Sequence, residues 1–182
     1  MTPPTPHLPT NEDLLVLAAD FWERVGSPLP YPRDLDEVIL LTAPVWIVRL
    51  AGLRPSGARG WLHRRGLELP LTVAERPLDG CILAFRGRAV IFLEARLDPV
   101  YHRVILAHEF AHYLAEYERP RLQVVRRLGE SVLPLLDGQR SATPPEVLAG
   151  ALAGVSLGAH LHFMERTFDP RCLVETARVE RS

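Results

Sequence analysis

Residues 80–117 read GCILAFRGRAVIFLEARLDPVYHRVILAHEFAHYLAEY, and the organisation of the whole chain turns on how this stretch divides. Residues 80–84 and 89–95 are short runs rich in Ile, Val and Phe, types that pack well on a pleated surface. Phe85-Arg86-Gly87-Arg88 between them offers a glycine for a tight turn, so the two runs are expected to form a β-hairpin. Asp98-Pro99 then carries a helix start, with Asp as cap and Pro at the first helical position, where a missing N–H is harmless. The spacing predicts a helix from Pro99 to about Tyr117, closed by Arg119-Pro120, because the residue before a proline is biased away from helical geometry. Val104, Ile105, Leu106, Ala107, Phe110, Ala111 and Leu114 are expected to bury this helix on both sides.

Outward from this unit, residues 1–10 hold four prolines and read as a flexible leader. They carry neither the basic nor the apolar region of a signal peptide. Asn11 caps an amphipathic helix that runs through Leu14, Leu15, Leu17, Ala18, Phe21, Trp22 and Val25 to Gly26. A second helix is expected over 34–42, with Asp34 as cap and Leu35, Val38, Ile39 and Leu41 inward. A third is expected over 45–53, followed by a Gly- and Arg-rich stretch to 66. Downstream, 122–136 reads as a helix broken near Pro134, 137–145 as a loop, 145–153 as a helix and 159–165 as a strand. The expected fold is α+β: a small antiparallel sheet packed against a helical body that carries the 99–117 helix. The domain reading is a leader, 1–10, and one domain, 11–182, made of a helical part, 11–66, and a core, 67–182, that holds the chemistry.

Composition supports a soluble globular chain. Of 182 residues, 47% are hydrophobic and 24% charged, which excludes disordered and collagenous classes. The formal net charge of -1 gives no basic excess for nucleic acid. All 21 basic residues are Arg, spread along the chain, a pattern of coding bias rather than of phosphate recognition. Two cysteines, Cys81 and Cys172, are too few for a disulfide scaffold and fit a reducing compartment. No apolar run approaches the ~20 residues of a membrane helix, so a cytoplasmic location is expected.

The chemistry is concentrated in His108-Glu109-Phe110-Ala111-His112, an H-E-x-x-H motif. Residues four apart share a helix face, so His108 and His112 can aim imidazole nitrogens at one ion. Zinc accepts neutral imidazole at about 2.0–2.1 Å and keeps a position open in catalytic sites. Glu109 lies about 100° round the helix from His108, where it can act as general base toward an attacking water without ligating the metal. Zn²⁺ is therefore the expected cofactor. The plainer alternative is an exposed helix face with incidental histidines.

The segment Leu106-Ala107-His108-Glu109-Phe110-Ala111-His112-Tyr113-Leu114 resembles the core of the ImmA/IrrE family of zinc metallopeptidases, in which a strand pair precedes the H-E-x-x-H helix. The resemblance is specific only over about residues 80–120. It implies a zincin-like core and a zinc-dependent endopeptidase that cleaves a helix-turn-helix repressor, derepressing genes of a stress, DNA-damage or mobile-element response. It also implies a third zinc ligand, a glutamate in a later helix with the pattern E-x-x-A-[N/D]-x-x-A. Glu180-Arg181-Ser182 matches the opening of that pattern, after which the sequence given stops, so Glu180 is the preferred ligand on a helix expected to be incomplete.

Other candidates stand beside these. Glu130 follows His112 by eighteen positions, close to the spacing of thermolysin-like zincins, and is equally well read as a solvated glutamate. Glu175 is more distant, and Cys172 could approach zinc as an inhibitory thiolate. His160 and His162, two apart on a probable strand, share a face that either binds metal or faces solvent. Tyr113 either approaches a developing oxyanion or packs in the core, and Cys81 is most simply core. The hairpin edge near 89–93 is the expected docking edge for an extended substrate. The rival readings are a non-catalytic zinc-binding module and a toxin–antitoxin component bound to a repressor partner.

Overall fold

In the computed structural model of this protein, which describes residues 11–26, 34–68 and 74–166, the hairpin is the centre of the sheet. Strand β2 (Gly80–Phe85) and strand β3 (Arg88–Glu94) pair antiparallel about the turn Arg86-Gly87. Both turn residues have positive φ, 48° and 74°, the geometry that suits the twist of a two-residue hairpin. The Gly87 N–H donates to the Tyr117 hydroxyl at 2.6 Å, tying this turn to the far end of the motif helix.

Every residue of β2 is buried, and so are Ala89–Leu93 of β3. Ile82, Ala84, Ala89, Ile91 and Leu93 face one apolar layer, while Cys81, Leu83, Phe85, Val90 and Phe92 face another. Covering both faces explains why these runs are continuously apolar rather than alternating. The first layer is closed by helix α1 (Asn11–Val25) through Phe21, by helix α2 (Leu35–Thr42) through Val38 and Ile39, and by helix α4 (Pro99–His112). Asp34 caps α2 by accepting from the Glu37 N–H, as expected, but Leu41 is 78% exposed rather than inward.

Residues 45–53 do not form a helix. Val45–Leu50 is strand β1, parallel to β3 over the register Val45↔Ala89 to Leu50↔Glu94. Val45, Trp46, Ile47 and Val48 are β-branched or aromatic and favour the pleated surface. A six-residue, mostly apolar run has too few turns to show a helical period. The sheet is therefore mixed, in the order β1-β3-β2-β4, and not purely antiparallel. The residues after β1 fold into helix α3 (Pro55–His63), which packs Ala58 and Leu62 on the second face. The part 11–66 is therefore helical except for β1, which joins the same sheet as the hairpin.

Helix α4 opens as expected, with Asp98 accepting from the Val100 N–H at 2.8 Å and Pro99 in the first turn. It does not close at Pro120. It widens into a π-helical turn, Tyr113–Glu118, and runs on as helix α5 (Arg119–Leu128) to Gly129. The Arg119 N–H reaches back to the Leu114 carbonyl, and the wider turn accommodates a proline that has no N–H and whose ring crowds a tighter one. After a short turn over Glu130–Val132 come helix α6 (Leu133–Leu136) and helix α7 (Pro144–Ala153), the latter held by a Thr143/Glu146 capping box. Strand β4 (Leu161–Arg166) then returns antiparallel to β2 at the open edge of the sheet.

Gly80 seats α4 on the sheet: a Cβ built there would lie 2.4 Å from Ile105 Cγ2 and 3.4 Å from Glu109 Oε1. Gly80→Ala is therefore expected to destabilise the fold by about 1–3 kcal/mol through overpacking. Gly57, in α3 with open space around its Cα, should gain up to about 1 kcal/mol as Gly57→Ala. Urea unfolding of the two variants checks this, and equal stabilities would refute the seating role.

Candidate metal centre

The motif helix is buried on one side only. Ile105, Leu106, Glu109 and Phe110 face inward, while Val104 is 45% exposed and Ala107 is exposed. His108 and His112 lie half-buried at the boundary between the two sides. Their Nε2 atoms are 3.2 Å apart. Two nitrogens at about 2.0–2.1 Å from a tetrahedral ion would be separated by about 3.3–3.4 Å. The pair thus sits at the spacing that one zinc requires, and its donors are of a type zinc accepts.

Behind the pair stands a residue not singled out in the sequence. Glu116, one turn beyond His112 in the π-helical turn, places Oε1 3.0 Å from His112 Nδ1. Its other oxygen lies 3.0 Å from His162 Nε2. A carboxylate on the far nitrogen of a ligating histidine fixes the ring's tautomer and orientation. His112, Glu116 and His162 also form a group in which one ligand atom of each lies within 4.8 Å of the others, so these three residues could themselves hold a metal ion. The only signal for Glu116 in the sequence was its i, i+4 spacing from His112.

His162 is brought in by the sheet. It pairs with Ala84, whose side chain faces the α4 layer, and its ring stacks on that of His112 with centroids 5.9 Å apart. Burial holds its imidazole below the ordinary histidine range; the Glu116 charge opposes this and His112 adds to it. His160 does not share the position. It precedes β4, and its N–H donates to the Leu136 carbonyl at 2.8 Å.

Glu109 is 0% exposed, with its carboxylate directed at the Gly80 end of β2. Its charge is felt by Cys81: burial first, then Glu109 and Glu165, push that thiol up, so Cys81 stays a neutral core residue as expected. Tyr113 is also core, stacked on Phe110 at 5.8 Å, and its hydroxyl is pushed up chiefly by burial. Glu130 is exposed at the start of the short turn after α5 and does not join the cluster. Glu180, Glu175 and Cys172 lie outside the described residues. The proposed docking edge at 89–93 is not an edge, because β3 is paired with β1 on one side and β2 on the other.

No helix among the described residues is long and apolar enough to cross a membrane. No protein-family model, curated protein or solved structure matches the chain.

If Glu116 orients His112, Glu116→Ala should weaken zinc binding by about 10- to 100-fold, with Glu116→Gln in between, since an amide oxygen can still accept from Nδ1. A competition titration with a chromophoric chelator measures this. Unchanged affinity in both variants would show that Glu116 is not part of the centre.

Proposed function

We propose that this protein is a zinc-dependent endopeptidase. The observation that carries the reading is the 3.2 Å separation of the His108 and His112 Nε2 atoms on an H-E-x-x-H helix, with Glu116 behind His112. His108 and His112 would hold the ion. When bound, zinc supplies Lewis acidity to the scissile carbonyl and the attacking water. Glu109 takes the proton of that water and passes it to the departing amine, which a carboxylate at this helical position can do without being a ligand. Glu116, beside His112 Nδ1, would fix the ring's orientation and tautomer so that Nε2 faces the ion. Stable catalytic zinc sites use three protein ligands. The resemblance of the motif segment favours Glu180 for the third; Glu116 adjoins His112 at Nδ1, the nitrogen opposite the one that faces His108, and groups with His112 and His162 rather than with His108.

The substrate class follows from the same resemblance: a helix-turn-helix repressor, cut within a cytoplasmic response. Coexpression with such a repressor, followed by detection of discrete fragments, tests it. A non-catalytic metal-binding module would show zinc binding and repressor binding without fragments.

Two variants separate the roles of the motif. Elemental analysis should give about one zinc per chain, and the double variant His108→Ala, His112→Ala should give almost none. Glu109→Gln should keep that zinc and the fold while losing hydrolysis by about 10²- to 10⁴-fold or more. Wild-type cleavage by Glu109→Gln would exclude the mechanism. Zinc retained by the double variant would exclude the ligand pair. Zinc affinity lost in Glu180→Ala beyond the loss in Glu116→Ala would mark Glu180 as the third ligand.

A further inference from the structure

An extended substrate adds to a sheet through a strand with free backbone N–H and C=O groups. Of the two strands in the hairpin, only β2 has an edge not used by β1 or β3, and that edge runs beside the motif helix. In this structure the edge is taken by the chain itself. Strand β4 pairs with β2 over all six positions, Gly80↔Arg166 to Phe85↔Leu161. It brings His162 onto Glu116 and against the ring of His112. In this arrangement Glu109, beside Gly80 at the start of β2, is fully buried, and a base so enclosed cannot meet both water and a scissile bond.

β4 is also the strand best suited to leave. Leu-His-Phe-Met-Glu-Arg contains no β-branched residue, in contrast to β1 and β3. It is only half-buried where β2 is wholly buried, and Leu161 at its start is 47% exposed. The segment before it contains Gly154 in the left-handed region and Gly158 with open space around its Cα, which lets the backbone swing.

We propose that the outer edge of β2, residues 80–85, is the substrate-binding edge of this site, and that β4 fills it as an internal stand-in that an extended polypeptide segment must displace. The inference rests on the endopeptidase reading and concerns its regulation. The resting chain is then latent. Its apparent activity scales with the small fraction of molecules in which β4 is released.

The register supplies a test. Cys81 pairs with Glu165, and paired residues in antiparallel strands lie about 4.5–5.5 Å apart at Cα, within reach of a disulfide. Glu165→Cys, made with Cys172→Ser to remove the second thiol, should lock β4 onto β2 when oxidised and free it when treated with a non-thiol reductant. The zinc-loaded full chain is assayed on carboxymethylated casein, with Glu109→Gln as the control. The oxidised form should cleave at least tenfold more slowly than the same protein reduced, and Met164→Pro, which removes a ladder N–H that β4 gives to Ile82 of β2, should cleave faster than the parent. Hydrogen exchange on the parent should show β4 amides opening well before those of β3. Equal Glu109-dependent cleavage by locked and reduced forms, or equal protection of β4 and β3, overturns the latency proposal and leaves the peptidase reading standing. No cleavage by any form, with zinc bound, overturns the peptidase reading and this proposal with it.

Discussion

The contact between Ile105 on α4 and the bare backbone of Gly80 on β2 is the constraint from which the rest of the structure follows. It lets the motif helix lie directly on the sheet, so that Ile105, Leu106 and Phe110 enter the same apolar layer as Ile82, Ile91 and Leu93. Each such side chain contributes about 1.5–3 kcal/mol when fully buried, and together they set the helix's rotation. Turning α4 by one residue would remove Ile105 from its seat and carry His108 and His112 away from the boundary where they meet. The geometry of the candidate centre is thus a consequence of core packing, and a helix docked this firmly is a good platform for a metal pair.

Around that platform, polar groups are arranged in a line: His108, His112, Glu116 and His162, each 3.0–3.2 Å from the next. Three belong to one helical segment and the fourth to the edge strand. A single carboxylate between two imidazoles couples the position of β4 to the orientation of His112. The orientation of His112 and pairing at the sheet edge therefore share a residue, Glu116. The π-helical turn that carries Glu116 also lets Pro120 follow without ending the helix, so the centre and the long α4–α5 rod are products of the same local widening.

Much of this was legible in the sequence because the decisive signals are local. Asp98-Pro99, Arg86-Gly87 and the i, i+4 histidines each act within one turn of chain, and the α+β class, the hairpin and the motif helix follow from them. What was not legible depends on distant partners. β1 is not evident because five apolar residues interrupted by Arg49 have no clear period, and its parallel pairing with β3 spans more than forty residues. α3 was hidden by Gly57 and Gly60, poor helix formers whose cost is met by burying Ala58 and Leu62. His162 looked like a solvent-facing strand residue until its pairing with Ala84 turned it toward α4. Glu116 lay in plain view, but its value depends on the nitrogen of His112 that faces it.

The central claim is that one zinc ion is held by the two motif imidazoles, and X-ray absorption at the zinc edge of the metal-loaded full chain tests it most directly. An ion so held should give a nitrogen/oxygen shell at about 2.0–2.1 Å with the outer-shell pattern of two imidazoles, lost when His108 and His112 are both replaced by Ala. A spectrum dominated by sulfur at about 2.3 Å, or one without imidazole scattering, would contradict it.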